Sequence, residues 1–257
     1  MRKTILTMLI FLGLTFFHGG FVMNAYAEKI NYEKWKDILN TYVDDNGLVN
    51  YEALKAGRAD LDDFIKEQIE NAVLTKFSKD EQKAFWINAY NALTMRLIVD
   101  HYSPKLKGIR SINWGRPWSI KMKVAGRDLT LGDIEHKILR KWIPIDPRIH
   151  FAINCASIGC PKLPDTHFDP ETLDKQLDRE AQKFMKDPEK VKLDRSKNIL
   201  YHSAILNWFK EDFLTNKPDV LTYILKYLDE ESKQYILSNK DQVKLKEMKY
   251  DWSLNRQ

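Results

Sequence analysis

Between Ser78 and Pro104 the chain reads SKDEQKAFWINAYNALTMRLIVDHYSP, and this segment restricts the fold more than any other. Ser78 followed three residues later by Glu81 is a capping box, so the spacing predicts a helix from Asp80 to about His101, ended by Pro104. Inside its otherwise apolar stretch stand Asn88 and Asn91, three apart and therefore on one side, with Tyr90 between them. Asparagine is a poor helix former because its amide competes with the backbone. Two such amides at this place have two readings. They hydrogen-bond a neighbouring loop, or they orient a reacting group or substrate.

The flanking segments alternate between helical and extended patterns. Trp35, Ile38, Leu39 and Val43 recur at helical spacing over residues 31–43, and a charged helix is expected over about 53–72. WSIKMKVAG alternates as a strand, and Thr130 or Asp133 caps a helix through DIEHKILRKW. RIHFAIN reads as a strand, DPETLDKQLDREAQKFM as an amphipathic helix and KVKLDRSKNILYHS as a hairpin. Helices over about 203–215 and 219–238 and a closing strand in VKLKEMKYDW complete the chain. This mixture lacks the regular βαβ beat of a doubly wound sheet. It predicts an α+β fold with a single domain over residues 28–257, several helices packed on a small, mostly antiparallel sheet.

The first residues set an expectation about location. Arg2 and Lys3 precede an apolar run from Ile5 to Phe17, and Ala25-Tyr26-Ala27 forms a small-x-small cleavage signal. Residues 1–27 thus read as a secretory signal peptide, which predicts a periplasmic or secreted protein with no transmembrane segment after cleavage. Removing the leader lowers the formal charge from +5 to +3, too small an excess to imply a nucleic-acid partner. Export would also place Cys155 and Cys160, the two cysteines of the chain, in an oxidising compartment.

Those cysteines lie in HFAINCASIGCP, five residues apart, with His150 five residues before the first. Three chemistries fit. A nucleophilic thiol needs an adjacent base or free backbone N–H groups, which His136, His150 and residues 156–159 could supply. A disulfide needs Cα atoms within about 4.4–6.8 Å, which four intervening residues including Gly159 allow. A zinc site would draw on His150, Cys155, Cys160 and His136, though the spacing fits no common finger pattern and no metal is assigned. If residues 149–154 form a regular strand, Cys155 follows the apolar side and Cys160 is the easier partner for His150. In DIEHKILR, His136 and Arg140 are spaced i, i+4, and the neighbouring Glu135 could pair with Arg148.

AFWINAYNALTMRLIV, LGDIEHKILR, DPRIHFAINCASIGCPKL, LNWFKEDF and YDWSLN together resemble the successive blocks of the domain-of-unknown-function 547 family, densely over about residues 80–215. The resemblance implies a recurring set comprising Asn88, Tyr90, Asn91, Glu135, His136, Arg140, Asp146, Arg148, His150, Cys155, Ser157 and Cys160. The family's usual glycine after the first cysteine is Ala156 here, which puts a left-handed backbone at that position in doubt. By analogy alone, the residue types resemble the ingredients of papain-like and transglutaminase-like thiol enzymes.

Two functional expectations follow. In the first, an exported thiol hydrolase or acyltransferase cleaves an amide or ester in peptide or cell-envelope material. Cys160 or Cys155 would attack and His150 or His136 would take the proton. Asn88, Asn91 or Glu135 would orient the imidazole, N–H groups around Ser157 would hold the oxyanion, and Tyr90, Arg140 and Arg148 would bind. In the second, a non-catalytic module binds a ligand or partner and the cysteines form a structural disulfide. Neither calls for a cofactor. The aromatics of LNWFKEDF are expected in the core, from the helical spacing of Leu206, Phe209 and Phe213.

Overall fold

A computed structural model describes residues 29–142, 144–214 and 219–257; the leader expected over residues 1–27 lies outside them. Helices α1 (Glu33–Tyr42), α2 (Tyr51–Ala56) and α3 (Ala59–Phe64) lead through a π turn, Ile65–Glu70, to α4 (Lys79–His101). The capping box of α4 is formed: Ser78 Oγ accepts from the Glu81 N–H at 3.2 Å, and the Glu81 carboxylate accepts from the Ser78 N–H at 2.7 Å. Every residue of α4 from Ala84 to Met95 is buried, so the helix has no solvent face there and α2 and α3 pack on it.

A hairpin of β1 (Lys121–Val124) and β2 (Arg127–Thr130) follows. Thr130 then caps α5 (Leu131–Asp133), which widens into a π turn over Ile134–Ile138 and tightens into a 3-10 turn over Leu139–Lys141. The rest of the chain supplies α6 (Leu173–Lys186), β3 (Val191–Asp194) and β4 (Ile199–His202). Next come α7 (Ile205–Trp208), α8 (Lys210–Phe213), α9 (Val220–Leu225), α10 (Glu230–Ser238) and β5 (Lys244–Glu247). The architecture is α+β, with the strands in two small sheets. β3 and β4 pair antiparallel, and β5 joins β4 in parallel.

One predicted strand is absent. The first four residues of RIHFAIN instead belong to a 3-10 helix over Pro147–Phe151. Pro147 presets a helical φ, and Asp146 accepts a hydrogen bond from the Arg148 N–H at 3.1 Å, so the chain turns where the apolar alternation suggested extension. The strand parity that assigned Cys160 to the His150 face therefore does not apply. This turn bridges two buried clusters. Ile149 and Ile153 join the one built on α4, whereas Phe151 joins the one formed by Phe184, Leu200 and Phe213.

The closing segment ties distant parts together. The N–H groups of Ile158, Gly159 and Val49 donate to the carbonyls of Ser253, Asp251 and Asn255 at 2.8–2.9 Å, and the Leu254 N–H donates to Lys107 at 3.0 Å. Among the described residues, no helix is long and apolar enough to cross a membrane.

Candidate functional site

Where the two clusters meet, a cavity of about 180 Å³ opens. From α4 it receives Tyr90, and from the π turn Glu135 and His136. From the 3-10 turn and the loop after it come His150, Ile153, Cys155, Cys160 and Pro161. Trp118, Ile205, Trp208, Phe209, Tyr250 and Trp252 complete the lining. The rings support one another: Tyr250 and Trp252 lie 4.5 Å apart between centroids, Trp208 stacks on Trp252 at 5.6 Å, and Trp118 meets Trp252 edge-on. Trp208, 46% exposed, stands at the edge of this group.

Glu135 is the one carboxyl among the described lining residues. It is buried and accepts a hydrogen bond from Tyr90 Oη at 3.3 Å. Burial raises its pKa to about 7, against the smaller opposing pull of the Tyr90 hydrogen bond and the Arg140 charge. The expected pairing of Glu135 with Arg148 does not occur. Arg148 instead clasps Asp146, Asp174 and Asp178 at 2.7–3.2 Å, fixing the 3-10 turn against α6.

The two imidazoles have different surroundings. His150, 3% exposed, stacks on Phe209 at 3.9 Å, and its Nε2 lies 2.7 Å from Asp212 Oδ2. Burial pushes its pKa down, so a neutral ring donating from Nε2 to the Asp212 carboxylate accounts for the contact. Arg140 grips the same carboxylate through both Nε and Nη2, the latter at 2.9 Å. Together these partners outweigh desolvation and hold Asp212 at about 2. His136 shares a face with Arg140, as the i, i+4 spacing predicts, and its Nδ1 accepts from Arg140 Nη1 at 3.2 Å. Its pKa is lowered by partial burial and by the guanidinium.

Cys155 and Cys160 form a disulfide, with Cα atoms 6.3 Å apart. Joined sulfurs are not thiolate ligands, and among the described residues no group of three or more His, Cys, Asp or Glu side chains is placed to hold a metal. Ala156 adopts φ +58° despite its β-carbon. Asn154 holds that conformation, its Oδ1 accepting the Ala156 N–H and its Nδ2 donating to the Pro161 carbonyl, each at 2.7 Å. The position thus takes the left-handed backbone that the missing glycine put in doubt. Ser157 is buried behind the disulfide, its Oγ 3.2 Å from Cys155 Sγ and 2.9 Å from Tyr250 Oη.

The two α4 amides bind loop backbone. Asn88 exchanges two hydrogen bonds with Phe168, at 2.7 and 2.9 Å. Asn91 donates to the Ala152 carbonyl at 3.0 Å and accepts the Asn154 N–H at 2.8 Å, anchoring the strip that leads into Cys155. The sulfurs, both imidazoles, Glu135 and Tyr90 are thus gathered at one cavity. Arg140 and Ser157 touch its lining from behind, and Asn88 and Arg148 act on loops. Sequence reasoning misses Trp118, Trp208, Phe209, Asp212, Tyr250 and Trp252. For all but Trp118 the available signal is the family-like pair LNWFKEDF and YDWSLN, but the helical spacing of Leu206, Phe209 and Phe213 points to core packing instead.

Residues 74–185 match the family model described as protein of unknown function, DUF547. The match covers α4 through α6 and ends before LNWFKEDF and YDWSLN. No curated protein and no solved structure matches the chain.

Proposed function

For this chain, which matches the DUF547 family model over residues 74–185, we propose that the cavity binds a small, largely apolar ligand whose amine or hydroxyl group faces Glu135. The observation that carries this reading is a single buried carboxyl, held at about 7, among aromatic rings in a cavity of about 180 Å³. That volume lies below the roughly 300–1,000 Å³ typical of drug-sized sites, which limits the ligand to a small molecule. Aromatic faces attract an organic cation, and an ionised Glu135 would add a direct partner. An exported location, the expectation from residues 1–27, accords with cysteines joined as a disulfide.

Quenching of tryptophan fluorescence by benzylamine, benzyl alcohol and benzoate tests the proposal. Saturable binding of the amine and alcohol, with benzoate the weakest, is expected. Amine binding should tighten as pH rises through about 7 and Glu135 ionises. Glu135→Gln should weaken amine binding about tenfold, the worth of one charged hydrogen bond. Failure of all three probes to bind, or unchanged amine binding by Glu135→Gln, would refute it.

A second reading is favoured by the sharing of one cavity by both sulfurs and both imidazoles. Once the disulfide is reduced, Cys160 or Cys155 could attack an amide or ester of peptide or cell-envelope material. Each ring has one nitrogen engaged, His136 Nδ1 by Arg140 and His150 Nε2 by Asp212, but His136 is exposed and His150 buried, which makes His136 the more available base. Labelling of the reduced protein by a thiol-directed ester probe, lost in one Cys→Ser variant and kept in the other, would support acyl transfer. Equal labelling of both single variants and the double variant would exclude it.

A further inference from the structure

The two half-cystines are held differently. Cys160 is 5% exposed, and its sulfur accepts hydrogen bonds from the Cys155 backbone N–H at 3.0 Å and from Tyr250 Oη at 3.2 Å. Cys155, which lines the cavity beside it, is less deeply buried; its sulfur meets Ser157 Oγ at 3.2 Å and Tyr250 Oη at the longer distance of 3.4 Å, with no backbone N–H on it among the described residues. In thiol–disulfide exchange the rate depends on which sulfur can be reached and on how well the departing thiolate is stabilised. The backbone N–H is aimed at the Cys160 sulfur alone and the phenol hydroxyl lies nearer to it than to Cys155 Sγ, which favours negative charge on Cys160.

The loop between the cysteines is also held independently of the sulfur bridge. Asn154 clamps both its ends, the Ile158 and Gly159 N–H groups donate to Ser253 and Asp251, and Lys190 Nζ donates to the Ile158 carbonyl at 2.6 Å. A cross-link closing so short a loop removes little entropy from the unfolded chain. The bridge is therefore poorly placed as a staple and well placed as a reactant.

We propose that the Cys155–Cys160 disulfide is a thiol–disulfide exchange centre for small thiols that enter the cavity, with Cys155 the attacked sulfur and Cys160 the leaving thiolate. A thiolate attacks Cys155 Sγ, forming a mixed disulfide as the S–S bond breaks and its electron pair leaves on Cys160 Sγ. The Cys155 N–H and Tyr250 Oη receive that charge, while Ser157 Oγ, 2.9 Å from Tyr250 Oη, can donate to the phenol oxygen in turn. A second small thiolate attacks the sulfur of the first thiol in the mixed disulfide. This releases Cys155 as a thiolate and leaves a small-molecule disulfide. Overall, two thiols are oxidised and the protein disulfide is reduced to two thiols, with the protons of the incoming thiols returned through solvent. This chemistry does not require the amine or alcohol ligand proposed above.

The test treats the full oxidised chain with cysteamine, quenches with acid at short times, alkylates free thiols and locates both groups by tandem mass spectrometry. The expected single-adduct species carries cysteamine on Cys155 and the alkyl group on Cys160. Tyr250→Phe, which keeps the ring, should slow its formation about tenfold by removing one donor to the leaving sulfur. A bridge inert to cysteamine in the folded protein, the reverse placement of the two groups, or an undiminished rate in Tyr250→Phe would each overturn the proposal.

Discussion

At the scale of the residue, Glu135 has the clearest consequence. Its carboxyl has a pKa raised from 4.5 to about 7, mainly by burial. Between those values the folded chain retains a proton that the unfolded chain has released. The stability linked to this group is fully present below about 4.5 and is lost as pH rises through about 7. The loss amounts to about 3 kcal/mol, since each tenfold change in acidity is worth about 1.4 kcal/mol. Glu135→Gln should therefore flatten the fall in urea midpoint between about pH 5 and pH 8 and be the more stable form at the upper end. An unchanged pH profile would contradict the assignment. Asp212 acts in the opposite sense: its depressed pKa contributes stability above 3.8 that disappears as pH falls towards about 2.

At the scale of the element, α4 is both the best-predicted part of the chain and the scaffold of the site. Its start is legible because a capping box is a local device that needs only Ser78 and Glu81. The partners of Asn88 and Asn91 are not, because they lie 61 to 80 residues away along the chain. These amides differ from the cap in what they secure. Ser78→Ala should cost about 1 kcal/mol, the ordinary worth of a cap. Asn91→Ala strands the Ala152 carbonyl and the Asn154 N–H in the interior and should cost about 3 kcal/mol in chemical denaturation. It should also loosen the strip entering Cys155, visible as faster amide exchange over residues 152–156. Equal costs for the two variants would argue against a clamping role for Asn91. The 3-10 helix at Pro147–Phe151 escapes sequence reading because alternating apolar residues over so short a run do not separate a turn from a strand.

At the scale of the whole molecule, the cavity exists because two buried clusters meet and the closing segment is drawn across both. Asn255 is the central tie. Tyr51 Oη donates to its side-chain oxygen at 2.8 Å, the Val49 N–H donates to its carbonyl at 2.8 Å, and its own N–H reaches the Ala156 carbonyl at 3.3 Å. Asn255→Ala leaves the Tyr51 hydroxyl buried without its acceptor and should cost about 1–3 kcal/mol. Because Tyr250 and Trp252 enter the cavity from the same segment, the variant should also shift tryptophan emission to the red. An unshifted spectrum with full stability would show that the tie is dispensable.

Local chemistry in the sequence determined the α+β class, the capped central helix, the β3–β4 hairpin and the pairing of His136 with Arg140, since each depends on residues a few positions apart. The meeting of the disulfide with Glu135, Tyr250 and the tryptophans depended on tertiary structure. Those side chains span residues 118 to 252, and no spacing rule relates groups brought together only when two buried clusters close on one another.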